Sequence, residues 1–146
     1  MLESLLIAAG VGQLFLAAGS LAIPRVLHWS EDLARVRPLT RQVFWTYASY
    51  IWTTNVCFGL VSVLLSKSLT DHSPLAAAVT GFIAIYWLAR ILIQFAYFDR
   101  SSAPVGLHFR LAEIALVGLF LALTIIYGWA TIHNLGLFQY ERLPSP

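Results

Sequence analysis

The sequence predicts an all-α fold, an integral membrane bundle of four transmembrane helices in up-down order, forming one domain over residues 1–146. Two observations lead there. Hydrophobic residues make up 59% of the chain and charged residues only 11%, against about 45–50% and about 25% in soluble domains. A small chain has much surface for its volume and needs polar groups to cover it in water; this one lacks them, so its outer face meets lipid. The second observation is four apolar runs separated by short polar stretches, each close to the roughly 20 residues that cross a hydrocarbon core.

The first predicted helix runs from about Leu5 to Ile23, and Pro24 is expected to end it. Ala8, Gly12 and Gly19 form a small-residue stripe that lets another helix approach, and Gln13 is its strongly polar interior residue. The run begins with Glu3 and no basic residue, the reverse of a cleaved signal peptide, so it reads as a retained helix. In the first loop Ser30 looks like an N-cap, with Glu31 and Asp32 in the first turn after it, and Pro38 is expected to stop that short helix.

The second predicted span runs from about Gln42 to Ser66. It is crowded with Trp45, Thr46, Tyr47, Ser49, Tyr50, Trp52, Thr53, Thr54 and Asn55, more polar groups than a helix facing only lipid needs. The third runs from about Leu75 to Phe98 and carries Arg90 and Gln94. The fourth runs from about Phe109 to Ile132, and the polar tail 135–146 is expected to be flexible. Trp45, Phe98, Phe109, Tyr127 and Trp129 read as interfacial belt residues. Trp52 and Trp87 read as too deep for that, and so as packing or pocket walls.

Basic residues set the expected orientation. Arg25, Arg35, Arg37, Arg41, Arg100 and Arg110 fall on the side of the first and third loops, and Lys67 and Arg142 on the other. That bias puts loops 1 and 3 in the cytoplasm and both termini outside, in a membrane of bacterial inner-membrane type.

Arg90 is the most informative residue. A charge inside hydrocarbon costs roughly 2.5–3.5 kcal/mol on insertion scales, so it needs a partner or a purpose. Tyr86, Trp87, Gln94 and Tyr97 share its helix face. By helical rise Arg90 lies roughly 12 Å inside the cytoplasmic boundary, near the level of Tyr50, while Tyr47 and Glu113 fall near the level of Gln94. Arg90, Gln94, Tyr97, Tyr47, Tyr50 and Glu113 are therefore the candidate ligand- or lipid-binding residues, with Glu113 the best-placed acid for Arg90. Structural pairing and a pocket for carboxylate or phosphate both fit this cluster.

Other chemistry finds less support. The net charge is +2, with no basic stripe for nucleic acid. The single cysteine, Cys57, excludes an internal disulfide. His28, His72, His108 and His133 are all peripheral, so no metal site and no cofactor are expected, paired inward-facing ligands being what a bundle site needs. No catalytic triad spacing, phosphate loop or HExxH is present.

The stretches RPLTRQVFWTYASYIW (37–52), GFIAIYWLARILIQFAYFDR (81–100) and FRLAEIALVGLFLALTIIYGWA (109–130) resemble a group of small bacterial four-helix membrane proteins with no assigned activity. ARILIQFAY (89–97) is also similar to the helix-3 arginine and tyrosine of membrane glutathione transferases of the MAPEG superfamily. That likeness implies a trimer with Arg90 at a glutathione site. The superfamily's helix-2 pattern, arginine followed by Asn and Glu, is missing, since Arg41 is followed by Gln42, Trp45 and Tyr47. The expected function is that of a non-enzymatic membrane protein: a small subunit of a membrane assembly, or a lipid-associated bundle. Its expected partners are membrane lipids and either copies of itself or another membrane subunit. The alternative is a small membrane enzyme or anionic-ligand binder centred on Arg90.

Overall fold

The computed structural model describes residues 1–96 and 106–136, without the side chains of His108 and Phe109. Tyr97, Phe98, the third loop and the tail from Leu137 onward lie outside the described residues. Every regular element among the described residues is helical: α1 (Leu2–Ser20), α2 (Ile23–Val26), α3 (Trp29–Ala34), α4 (Pro38–Leu64), a 3-10 turn (Ser68–Thr70), α5 (Pro74–Ala96) and α6 (Leu107–Asn134). Among the described residues three stretches are long and apolar enough to cross a membrane: Leu2–Val26, Pro74–Ala96 and Arg110–Asn134, with mean hydropathies of 1.9, 1.9 and 2.1. They mark the chain as a membrane protein. Although α4 is as long as the others, its hydroxyls, Gln42 and Asn55 dilute its hydropathy.

Both prolines expected to stop helices instead stand in first turns. Pro24 lies in the first turn of α2, and Pro38 opens α4, where a missing N–H is harmless and a fixed φ is already helical. As a result α1 ends at Ser20 rather than Ile23, and α4 starts before Gln42. Ser30 is no cap: α3 is preceded by His28, in the left-handed region at φ 51°, and has no side-chain cap. At the far end Ser73 does cap α5, its hydroxyl accepting the Ala76 N–H at 3.1 Å.

Two hairpin-like pairs, α1 with α4 and α5 with α6, make the bundle, and α1 also touches α6. The first pair closes on glycine. A Cβ at Gly10 would lie 2.8 Å from the Gly59 carbonyl oxygen, and one at Gly59 would lie 3.0 Å from that of Gly10. The expected stripe of Ala8, Gly12 and Gly19 is therefore corrected. Ala8 is exposed, Gly19 has nothing within 4 Å of a built Cβ, and Gly12 meets only Leu119. The face that packs is Leu6, Ala9, Gly10, Gln13 and Ala17. Phe58 joins the two pairs, its ring 5.9 Å from Phe82 and 5.2 Å from Tyr86.

Burial is concentrated at one end. On α4 only Gly59 and Ser62 are buried. On α5 burial stops at Trp87, and among the described side chains of α6 it starts at Phe120. These are the C-terminal half of α4, the N-terminal two thirds of α5 and the C-terminal half of α6, which meet the N-terminal end of α1. Lipid is as apolar as leucine, so close van der Waals contact and interhelical hydrogen bonds hold this end together. Among the described side chains, the opposite end, at the first loop, has no buried residue on any helix beyond Ala17, Trp87 and Phe120.

Candidate functional site

The packed end holds a polar core. Gln13 Nε2 donates to the Tyr127 hydroxyl at 2.5 Å, and that hydroxyl lies 2.5 Å from Ser62 Oγ. All three side chains are fully buried. Tyr127 is thus not an interfacial belt residue: its ring fills the middle of the bundle. One turn further out, Thr131 donates to Thr80 at 3.1 Å. At the end itself Asn134 donates to the Leu69 carbonyl at 2.8 Å and accepts the His72 N–H at 3.2 Å. His72 and His133 stack with ring centroids 4.3 Å apart, and His72 Nδ1 donates to the His133 carbonyl at 3.0 Å. Gln13 was the one legible signal for this layer, since an amide amid an apolar run has to find a partner.

An aromatic floor bounds the open end. Trp87 stacks on Phe120 at 5.2 Å, and the Arg90 guanidinium lies over the same Phe120 ring, 5.6 Å from its centre. A cation over a ring face is attracted by the ring quadrupole. Arg90 therefore points from α5 toward α6, along the face that carries Trp87. It stands about 9 Å from Ala96, the last described residue of α5, at 1.5 Å per residue. Trp52 Nε1 donates to the Ala17 carbonyl at 3.0 Å, and Ser20 Oγ donates to the same oxygen. That carbonyl is among those a helix C-terminus leaves without an intrahelical partner. Trp52 thus caps the last turn of α1. Trp29 folds the first loop back onto α4, 4.9 Å from Phe44 and 5.9 Å from Trp45.

The candidate residues distribute around this end. Arg90, Gln94 and Glu113 are half-buried on α5 and α6, and both Arg90 and Glu113 hold further interactions. Tyr47 and Tyr50 are 65% and 66% exposed on α4, turned away from the face that carries Gly59 and Ser62. Tyr97 lies outside the described residues. Glu113 also borders a groove of about 500 Å3 on the outer seam of α5 and α6. Among the described residues no three His, Cys, Asp or Glu side chains converge as metal ligands.

The chain finds no match among protein-family models, curated proteins or solved structures. Its function is therefore argued from its own residues.

Proposed function

We propose that this protein is a non-enzymatic subunit of a membrane assembly, with α4 as a fourth span, whose loop-side end is completed by copies of itself or by another membrane protein. One observation carries the reading. Among the described side chains burial is concentrated at one end, while at the other α4 turns Thr46, Tyr47, Ser49, Tyr50 and Thr53 outward. Thr46 and Ser49 donate to the carbonyls one turn back, at 2.9 and 2.8 Å, which makes their hydroxyls tolerable against lipid. Tyr47 and Tyr50 are too far from any carbonyl of their own turn to do the same. A neighbouring helix supplies acceptors and gives the exposed rings something to pack on.

A photo-crosslinking residue at Tyr50 tests this in cells. The expected result is a discrete protein adduct, absent when the probe sits at Ile125, an exposed apolar position on α6. Equal labelling at both sites, or none at Tyr50, overturns the reading. Arg90 above the Trp87–Phe120 stack favours a second reading, an anionic-ligand site at the same end. Saturable binding of glutathione or phosphate, lost in Arg90→Gln, would favour it over the first.

A further inference from the structure

We infer that the outer seam of α5 and α6 is a phospholipid site, with Arg110 on the lipid phosphate, Glu113 on a primary-amine headgroup and one acyl chain in the groove below. The inference is separate from the assembly reading, because a lone bundle would hold such a lipid equally well.

The groove joins two environments in the right order. Arg110 and Glu113 stand at one end of it, and Ile114, Val117 and Leu121 continue along α6 with Phe95 of α5 opposite. Among the described residues its lining is otherwise apolar. From Arg110 to Leu121 the helix rises about 16 Å, close to one leaflet of a hydrocarbon core about 30 Å thick. Arg110 and Glu113 fall within the first two turns of α6, which starts at Leu107, so the charged pair stands at the helix end of the groove nearest the third loop. A polar mouth followed by an apolar channel one leaflet long matches one lipid molecule.

The two charges narrow the headgroup. Arg110 and Glu113 lie three apart on one helix, on the same face. A guanidinium pairs well with phosphate, whereas a carboxylate beside it disfavours a purely anionic headgroup and favours an ammonium. Glu113 has an interaction of its own, but an ionised carboxylate offers about four lone-pair sites, so an ammonium adds to that partner without displacing it. A phosphoethanolamine group carries both required charges with N–H donors, which a choline group lacks.

Gly118 makes the test clean. A Cβ built there meets nothing within 4 Å, so a side chain added at this position starts from open space on the groove wall. The protein, extracted and exchanged into an equimolar mixture of phosphatidylethanolamine, phosphatidylcholine and phosphatidylglycerol, is examined by native mass spectrometry. Phosphatidylethanolamine is expected to be retained several-fold above the other two. Gly118→Leu should abolish that retention while thermal unfolding is unchanged. Glu113→Gln should bring phosphatidylethanolamine down to the level of phosphatidylcholine, and Arg110→Gln should lower both. Equal retention of all three lipids by the unaltered protein overturns the proposal. So does a preference for phosphatidylglycerol, or a lipid-free dimer that Gly118→Leu dissociates, which would seat a second copy in the groove.

Discussion

The Tyr127 hydroxyl lies 2.5 Å from the Ser62 hydroxyl, inside a bundle where neither group reaches solvent. The phenol oxygen also accepts the Gln13 amide, so one group links α1, α4 and α6. Interhelical hydrogen bonds in membranes average about 0.6 kcal/mol. Tyr127→Phe does more than remove one, because Gln13 Oε1 already lacks a partner and the whole amide would be stranded. The expected loss is about 1–3 kcal/mol, the cost of an unmet buried polar group. Gln13→Leu added to Tyr127→Phe should recover part of it, since no stranded amide remains. Thermal unfolding of the two single variants and the double in detergent checks this, and additive losses would show that the groups do not interact.

The glycine contact gives a sharper contrast. Gly10→Ala forces a methyl to 2.8 Å from the Gly59 carbonyl and 2.9 Å from Ser62 Cβ. Backbone cannot yield there as a flexible side chain can, so overpacking should cost about 1–3 kcal/mol. Gly19→Ala, in the same helix but in open space, should be neutral or gain up to about 1 kcal/mol in helix propensity. Unfolding midpoints of the two variants, measured side by side, decide whether close approach or mere helix content governs α1.

The class of the protein was legible because a count of apolar residues needs no knowledge of neighbours. The shared face of Trp87 and Arg90 on α5 was legible too, since the two fall together by helical period alone, and both meet the Phe120 ring. Periodicity does not say which helix a face meets, and there the reading gave out. Gln13 was visible as a polar residue in an apolar run, but its partner Tyr127 sits far along the chain and looked like a belt tyrosine. The glycine stripe failed for the same reason: Gly10 matters because Gly59 stands opposite it. On α4 every face carries a polar or aromatic residue, so its rotation, which leaves Tyr47 and Tyr50 outside, had no signal. Pro24 and Pro38 were read as stops because the same residue serves equally at a first turn.

The turn before α5 carries a pH-dependent contact. The Ser73 hydroxyl, and then its backbone N–H, hold the Asp71 carboxyl below the usual carboxylate range; the N–H contact is 2.9 Å. A depressed folded-state value means that the contact's contribution is full above the unfolded value of about 3.9 and fades as pH falls through the lower folded value. NMR titration of the Asp71 carboxyl should therefore give a midpoint below that of an unstructured aspartate, and Ser73→Ala should move it up. The same change removes the cap on Ala76, so the first amides of α5 should exchange faster. An unshifted midpoint in both proteins would rule the contact out.

The ends of the bundle differ in charge as well as in packing, and this fixes the orientation we expect. Ser66 donates to Glu3 at 3.4 Å, and Asn134 donates to Leu69, so the start of α1 and the end of α6 lie at the packed end. Lys67 belongs to that end. Arg25, Arg35, Arg37, Arg41 and Arg110 belong to the open one. Arginine in short loops is retained in the cytoplasm, so the open end should face inward and residues 1 and 136 outward. A reporter active only in the cytoplasm should stay silent when fused after Pro146, and one active only outside should work. Replacing Arg35, Arg37 and Arg41 together by Gln removes much of the bias, and a mixed population should then appear in both assays. A cytoplasmic signal from the unaltered chain would invert the bundle and move the Arg110 groove to the outer leaflet.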